Sequence, residues 1–134
     1  MTAHASGAFD VTITPQTPSD KAAEGGIGRM SIDKHFHGDL DGTSKGEMLA
    51  AFTADNGSAV YVAIEKVSAT LGGRGGTFVL NHTGISTRDG QQLTVNVSPE
   101  SGTGQLAGLT GSMKINIVDK KHFYEFDYAL PDAP

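Results

Sequence analysis

Apolar residues in this chain recur at every second position, in short runs. Phe9, Val11 and Ile13 alternate, as do Met30, Ile32 and Phe36, then Met48, Ala50 and Phe52. Val60, Val62 and Ile64 follow, then Phe78 and Leu80, and Leu93, Val95 and Val97. Met113, Ile115 and Ile117 precede a last run of Tyr124, Phe126 and Tyr128. Each run is rich in β-branched or aromatic residues and bounded by Gly, Asn, Asp or Ser, which predicts a strand. About eight strands result. No longer window keeps a 3.6-residue period, and only SDKAAEG (19–25), after Pro18, suggests a helical turn. The dipeptide DG at 41–42, DNG at 55–57 and RDG at 88–90 read as hairpin turns. Strands joined in succession by short turns make a meander, and eight can close into a barrel without exposed edges. The fold class is therefore all-β: an eight-stranded antiparallel meander barrel.

Two glycine-rich stretches interrupt the pattern. LGGRGG (71–76) lies between strong strands and reads as a mobile hairpin loop. SGTGQLAGLTG (101–111) interleaves its glycines with Leu106 and Leu109 and runs straight into SMKINIV. A linker would not carry those leucines, whereas glycine in a strand marks a bulge, a sharp bend or a close backbone approach. Phosphate cradling would need a helix after the loop, and a strand follows instead.

These same residues carry a resemblance. The run EKVSATLGGRGGTFVLNHTG (65–84) followed by SGTGQLAGLTG resembles a bacterial family of uncharacterised small proteins. That family has an allene-oxide-cyclase-like barrel. DKHFHGDL (33–40), VYVAIEKV (60–67), SGTGQLAGLTG and KKHFYEFDYAL (120–130) are similar, in order, to plant allene oxide cyclase itself. The Gly-Thr-Gly corner also resembles that of dirigent proteins, which share the barrel. The resemblance implies an eight-stranded antiparallel barrel, often oligomeric, with an apolar cavity. It implies no active site: the cyclase's catalytic carboxylate lies on its first strand, and FDVTITPQTP (9–18) does not align with that segment.

Composition narrows the setting. A chain of 134 residues fits one domain, 1–134, with a flexible N-terminus over 1–7 and a C-terminal tail over 131–134. Cysteine is absent, which removes disulfides, thiolate metal sites and thiol nucleophiles. No Gly-x-Ser-x-Gly elbow opens a helix either. The formal charge of −5, with 15 acidic and 10 basic residues and no basic stripe, argues against a nucleic-acid partner. No apolar run approaches a membrane span, and MTAHASGAFD lacks the features of a signal peptide, so the expectation is a cytoplasmic protein with no membrane partner.

Candidate chemistry depends on which parity of each strand faces inward. Taking the more apolar parity as interior places Lys34 inside with Met30, Ile32 and Phe36, and His82 inside with Phe78 and Leu80. Tyr124 and Tyr128 flank Phe126 on the same face. Glu65 stays ambiguous, because AVYVAI (59–64) is apolar on both faces. One reading is a ligand pocket formed by Lys34, Phe36, Glu65, Phe78, His82, Tyr124 and Tyr128. Within it His82 and Glu65, near the mouth, are the candidate catalytic acid/base pair. The other reading sets His82 and Glu65 at the barrel rim, solvated or hydrogen-bonded structurally, with the tyrosines as core.

Two further motifs carry candidate chemistry. His35 and His37 share a strand face roughly 6.5 to 7 Å apart, and both could reach one metal ion if a third ligand came from a neighbouring strand, such as Glu47. They keep company with Arg29, Ser31, Asp33 and Asp39 on an outward polar face, so no metal is expected. Arg74, in its glycine loop, is either an anion contact over a barrel mouth or a solubilising charge. No cofactor is implied. Three functions remain: a barrel binding an apolar or amphipathic small molecule; an isomerase or cyclase acting on a reactive lipid-like or polyketide-like substrate; and an oligomeric module with a filled interior. The doubly apolar AVYVAI strand predicts a homodimer or homotrimer.

Overall fold

The computed structural model describes residues 2–53 and 57–131. Eight strands follow one another: β1 (Ala3–Gln16), β2 (Gly28–Phe36), β3 (Leu40–Phe52), β4 (Ala59–Leu71), β5 (Arg74–Thr87), β6 (Gly90–Val97), β7 (Thr110–Val118) and β8 (Lys121–Ala129). Every neighbouring pair is antiparallel, and β1 pairs with β8, so the sheet closes into an eight-stranded barrel. Each alternating run of the sequence lies inside one of these strands. Among the described residues helix is confined to α1 (Asp20–Glu24), capped by the Ser19 hydroxyl, and a 3-10 turn at Gly104–Leu106. Among the described residues, no helix is long and apolar enough to cross a membrane.

The first residues differ from expectation. Residues 3–7 are no flexible leader but the first half of β1, with Ala3 opposite Tyr128, Ala5 opposite Phe126 and Gly7 opposite Tyr124. The second half of β1 pairs with β2. Without residues 3–7, β8 would present an unpaired edge. Apart from His4 their side chains are small and carry no hydrophobic signal, because the wall is pressed close here: a Cβ on Gly7 would overlap the His37 carbonyl. Of the expected tail, Pro131 follows β8 outside any strand, and 132–134 lie outside the described residues.

Turns are tighter than the glycines suggested. LGGRGG contains a two-residue hairpin, Gly72–Gly73, both with positive φ, and Gly75 and Gly76 belong to β5. A pair of left-handed residues matches the strand twist, so this connection is compact. The RDG turn forms as expected, with Thr87 opposite Gly90 and the Thr87 hydroxyl accepting from the Asp89 amide. The DG at 41–42 does not turn; both residues lie within β3, and the chain reverses just before it, through His37–Asp39. Asp55 and Asn56 of DNG fall outside the described residues.

The stretch 101–111 is a structural corner. Leu106 and Leu109 are buried, and the segment lies across the start of β5. There the Thr103 amide donates to the Thr77 carbonyl at 2.8 Å, and the Thr103 hydroxyl accepts from the Thr77 amide at 3.0 Å. The Gly75 amide donates to the Gln105 side chain at 2.9 Å. Gly76 is needed for this approach, since a Cβ would strike the Thr103 carbonyl. A strand follows the corner, as the pattern required.

Candidate functional site

The interior is divided along the barrel axis. One half is solid: Phe36, Leu40, Leu71, Phe78, Leu80, Leu106, Tyr124 and Phe126 are all fully buried. Phe78 stacks on Phe126, with ring centroids 6.0 Å apart, and Phe36 meets Tyr124 edge-on at 5.7 Å. The other half opens as a cavity of about 470 Å³. Its walls come from the far ends of the strands, including Ile13, Met30, Met48, Ala63, Tyr61 and Gly84. Rings and leucines fill the solid half, whereas Ala50, Ala63 and Gly84 are among the residues that line the space. β6 and β7 pair only at Val95–Met113 and Asn96–Ser112. They then part, and Leu93, Ile115 and Ile117 line the opening.

Between the halves sits a buried polar cluster contributed by four successive strands. Lys34 on β2 lies opposite Ser44 on β3, and Glu65 and His82 project from β4 and β5 one rung apart. Glu65 is 0% exposed. One of its oxygens accepts from the Ser44 hydroxyl at 2.7 Å. The other is shared by the Lys34 ammonium at 2.8 Å and His82 Nε2 at 2.6 Å. Gly46 opposite Glu65 lets β3 press onto this point, since a Cβ there would crowd that of Glu65. Burial by itself pushes the Glu65 carboxyl up, but the His82 hydrogen bond and the Lys34 charge outweigh it and bring its pKa down to about 2. A buried charge is tolerable only with such partners.

Glu65 and His82 are therefore neither at the mouth nor at a solvated rim; they lie in mid-barrel. Glu65 spends both oxygens inside the protein and does not line the cavity, whereas Lys34 and His82 do. Because the carboxylate is ionised, Nε2 of His82 carries the proton that meets it, which leaves Nδ1 as the other ring nitrogen. Nδ1 has no hydrogen-bond partner among the described residues. Since no buried side-chain nitrogen there lacks one, Nδ1 keeps access to the cavity that His82 lines. The Lys34 ammonium rests 5.0 Å from the Phe9 ring centroid and 5.7 Å from that of Phe36. Two of its three N–H groups have no protein acceptor among the described residues.

The remaining expected ligand residues lie elsewhere. Phe36, Phe78, Tyr124 and Tyr128 belong to the solid half and do not reach the cavity. The Tyr124 hydroxyl donates to the His37 carbonyl at 2.7 Å and accepts from the Leu40 amide at 2.9 Å, tying the β2–β3 turn; burial pushes its pKa up. Tyr128 packs on Phe126 at 5.3 Å. Arg74 stands at the Gly72–Gly73 hairpin, at the end opposite the cavity. His35 and His37 stack on each other at 4.3 Å on the outer face, His37 meets Asp10 at 2.9 Å, and Glu47 is held by Arg29. Among the described residues no three His, Asp or Glu side chains converge on a metal position. Sequence reasoning missed Ser44, Tyr61, Phe9 and His122. Parity applied to SKGEML would have turned Ser44 inward, on the same face as Met48.

What these observations define is a closed antiparallel β-barrel with a one-ended apolar cavity over a buried charged floor. The chain belongs to the DUF3224 family of proteins of unknown function, matching it over residues 5–128. It is similar to a crystal structure of a protein of unknown function from that family, from Shewanella oneidensis MR-1. The two are 47% identical with a TM-score of 0.90, and the match covers 99% of this chain and 100% of the other. No curated protein matches.

Proposed function

We propose that the protein binds a small, largely apolar molecule in the open half of the barrel, its polar end directed at Lys34 and His82. The observation that carries this is the cavity of about 470 Å³ whose deepest polar groups are those two side chains. That volume lies within the range of small-molecule sites, and an apolar wall with a few convergent polar groups is their usual construction. Ala63 lies on the cavity wall directly opposite His82, so Ala63→Phe puts a ring into the space beside the charged cluster. Native mass spectrometry of freshly purified protein is expected to show a co-purified ligand that Ala63→Phe lacks. Identical ligand-free spectra, together with no uptake of apolar probes, would remove the reading.

The order of segments similar to allene oxide cyclase supports placing this barrel in that wider group, and the absence of cysteine suits a cytoplasmic setting. A second reading concerns the outside. Leu49 (44% exposed), Val62 (48%) and Ile64 (64%) form an apolar stripe across β3 and β4, which supports a homodimer or homotrimer through that face. Sedimentation equilibrium at micromolar concentration should give an oligomer that Ile64→Glu dissociates; a monomeric wild type sinks it.

A further inference from the structure

The floor of the cavity holds more than a binding contact needs. His82 has one nitrogen fixed by a carboxylate and the other free toward the cavity, which is how a general base is built. Beside it, on the same Glu65 oxygen, stands a lysine with unused N–H groups facing the same space. Glu65 is sealed from the cavity, so it cannot touch a ligand; its part is to hold the imidazole orientation and tautomer. Apolar walls around the site strengthen the attraction between Lys34 and Glu65.

We propose that this floor is a proton-transfer site for apolar carbonyl compounds, with Lys34 binding the carbonyl oxygen, His82 Nδ1 taking a proton from the adjacent carbon, and Glu65 as positioning residue. The inference rests on the cavity reading above. The step balances without a co-reactant. The C–H bond breaks and its proton goes to Nδ1; its electron pair becomes the C=C bond of an enolate, and the carbonyl π pair moves to the oxygen held by the Lys34 ammonium. Return of the proton to the same carbon gives exchange. Its return to the far end of a conjugated enolate moves a double bond, so the substrate class is β,γ-unsaturated or simply enolisable ketones and aldehydes. Lys34 contributes because its positive charge lies where negative charge develops.

The test is deuterium incorporation from D2O into 2-nonanone, 4-phenyl-2-butanone and cyclodecanone, read by mass spectrometry, with binding of each followed separately by saturation-transfer NMR. Wild type is expected to bind at least one ketone and to exchange its α-hydrogens faster than Ala63→Phe, whose surface lysines and histidines are unchanged. His82→Gln, in which Lys34 still holds the carbonyl oxygen, should bind the ketone more weakly and, at saturating ketone, lose roughly 100-fold or more of the exchange. Lys34→Arg should retain more exchange than Lys34→Met. Glu65→Gln should lower the exchange rate with ketone binding held. Binding without exchange above the Ala63→Phe level, or full exchange in His82→Gln, overturns the proton-transfer site and leaves the binding cavity standing. No binding of any of the three ketones overturns both.

Discussion

The two halves of this barrel are made from the same strands, yet they solve opposite problems. At the end where β4 meets β5 through Gly72–Gly73, the interior carries Phe36, Leu71, Phe78 and Phe126, and the 101–111 corner seals it with Leu106 and Leu109. At the other end, the same inward parity carries Ala63 and Gly84, with Met30 and Met48 only half-buried, and β6 and β7 part. Ala63 and Gly84 stand on strands whose other ends carry rings and leucines, and the parting of β6 and β7 opens the wall beside them. The charged cluster lies at the border, where its polar atoms can reach one another and two of its members still meet the open space. Stability and any ligand chemistry are thus assigned to different ends of one sheet.

The sharpest way to break that division is to truncate one residue on each side. Phe78→Ala removes a ring from a packed, fully buried position and should cost about 3–5 kcal/mol. Met48→Ala enlarges a space that already exists, so little new cavity surface is created, and it should cost about 1 kcal/mol. Urea unfolding of the two variants checks this. Comparable losses would mean that the open half is as tightly packed as the closed one, and the comparison fails.

The border cluster gives an effect of intermediate size. The Glu65 carboxyl, at about 2 in the folded protein against an ordinary 4.5, binds its proton less readily folded than unfolded. Its contribution is therefore fully present above pH 4.5 and drains away as the pH falls toward 2. Over that window roughly 3 kcal/mol is lost. Urea midpoints measured from pH 7 down to pH 3 should fall below 4.5, and in Glu65→Gln the slope should be shallower by about one proton. Equal slopes would show that the carboxylate is not held as the geometry implies.

How far the residues themselves disclosed this arrangement differs by strand. In β2, β5 and β8 one parity is clearly more apolar, so the inward placement of Lys34, Phe36, Phe78, His82 and Tyr124 was readable. In β4 the rule gives no answer, because Val62 and Ile64 are apolar yet point outward, while Glu65 points inward. The partners that make a buried carboxylate tolerable come from β2, β3 and β5, and only register brings them together. Depth was equally hidden. Parity assigns a face but not a height along the axis, so it puts Tyr124 and Tyr128 on the pocket wall although they stand in the solid half. The missing N-terminal half of β1 has the same origin, since small residues against a close-packed wall leave no periodic signal.

The smallest expected effect on stability falls at the mouth, and it tests whether shape there controls occupancy. Gly84 lies directly opposite Tyr61, whose ring covers it; a Cβ at that position would overlap ring carbons of Tyr61 rather than backbone. Such a ring over a strand glycine is a cross-strand contact that packs the site without a second side chain. In Gly84→Ala the half-buried tyrosine has room to turn away, and the lost backbone freedom of the unfolded chain offsets part of the cost. The net change in stability should stay within about 1 kcal/mol. The Tyr61 phenol, raised above its ordinary value first by burial and then by the Glu65 charge, should titrate closer to 10.0 once the ring swings out. Ultraviolet titration against a Tyr61→Phe control reads that shift, and affinity for an apolar probe should change several-fold in the same variant. If the phenol titrates as before and the probe binds as before, Tyr61 does not shape the mouth. The open half would then owe its form to the parting of β6 and β7 alone.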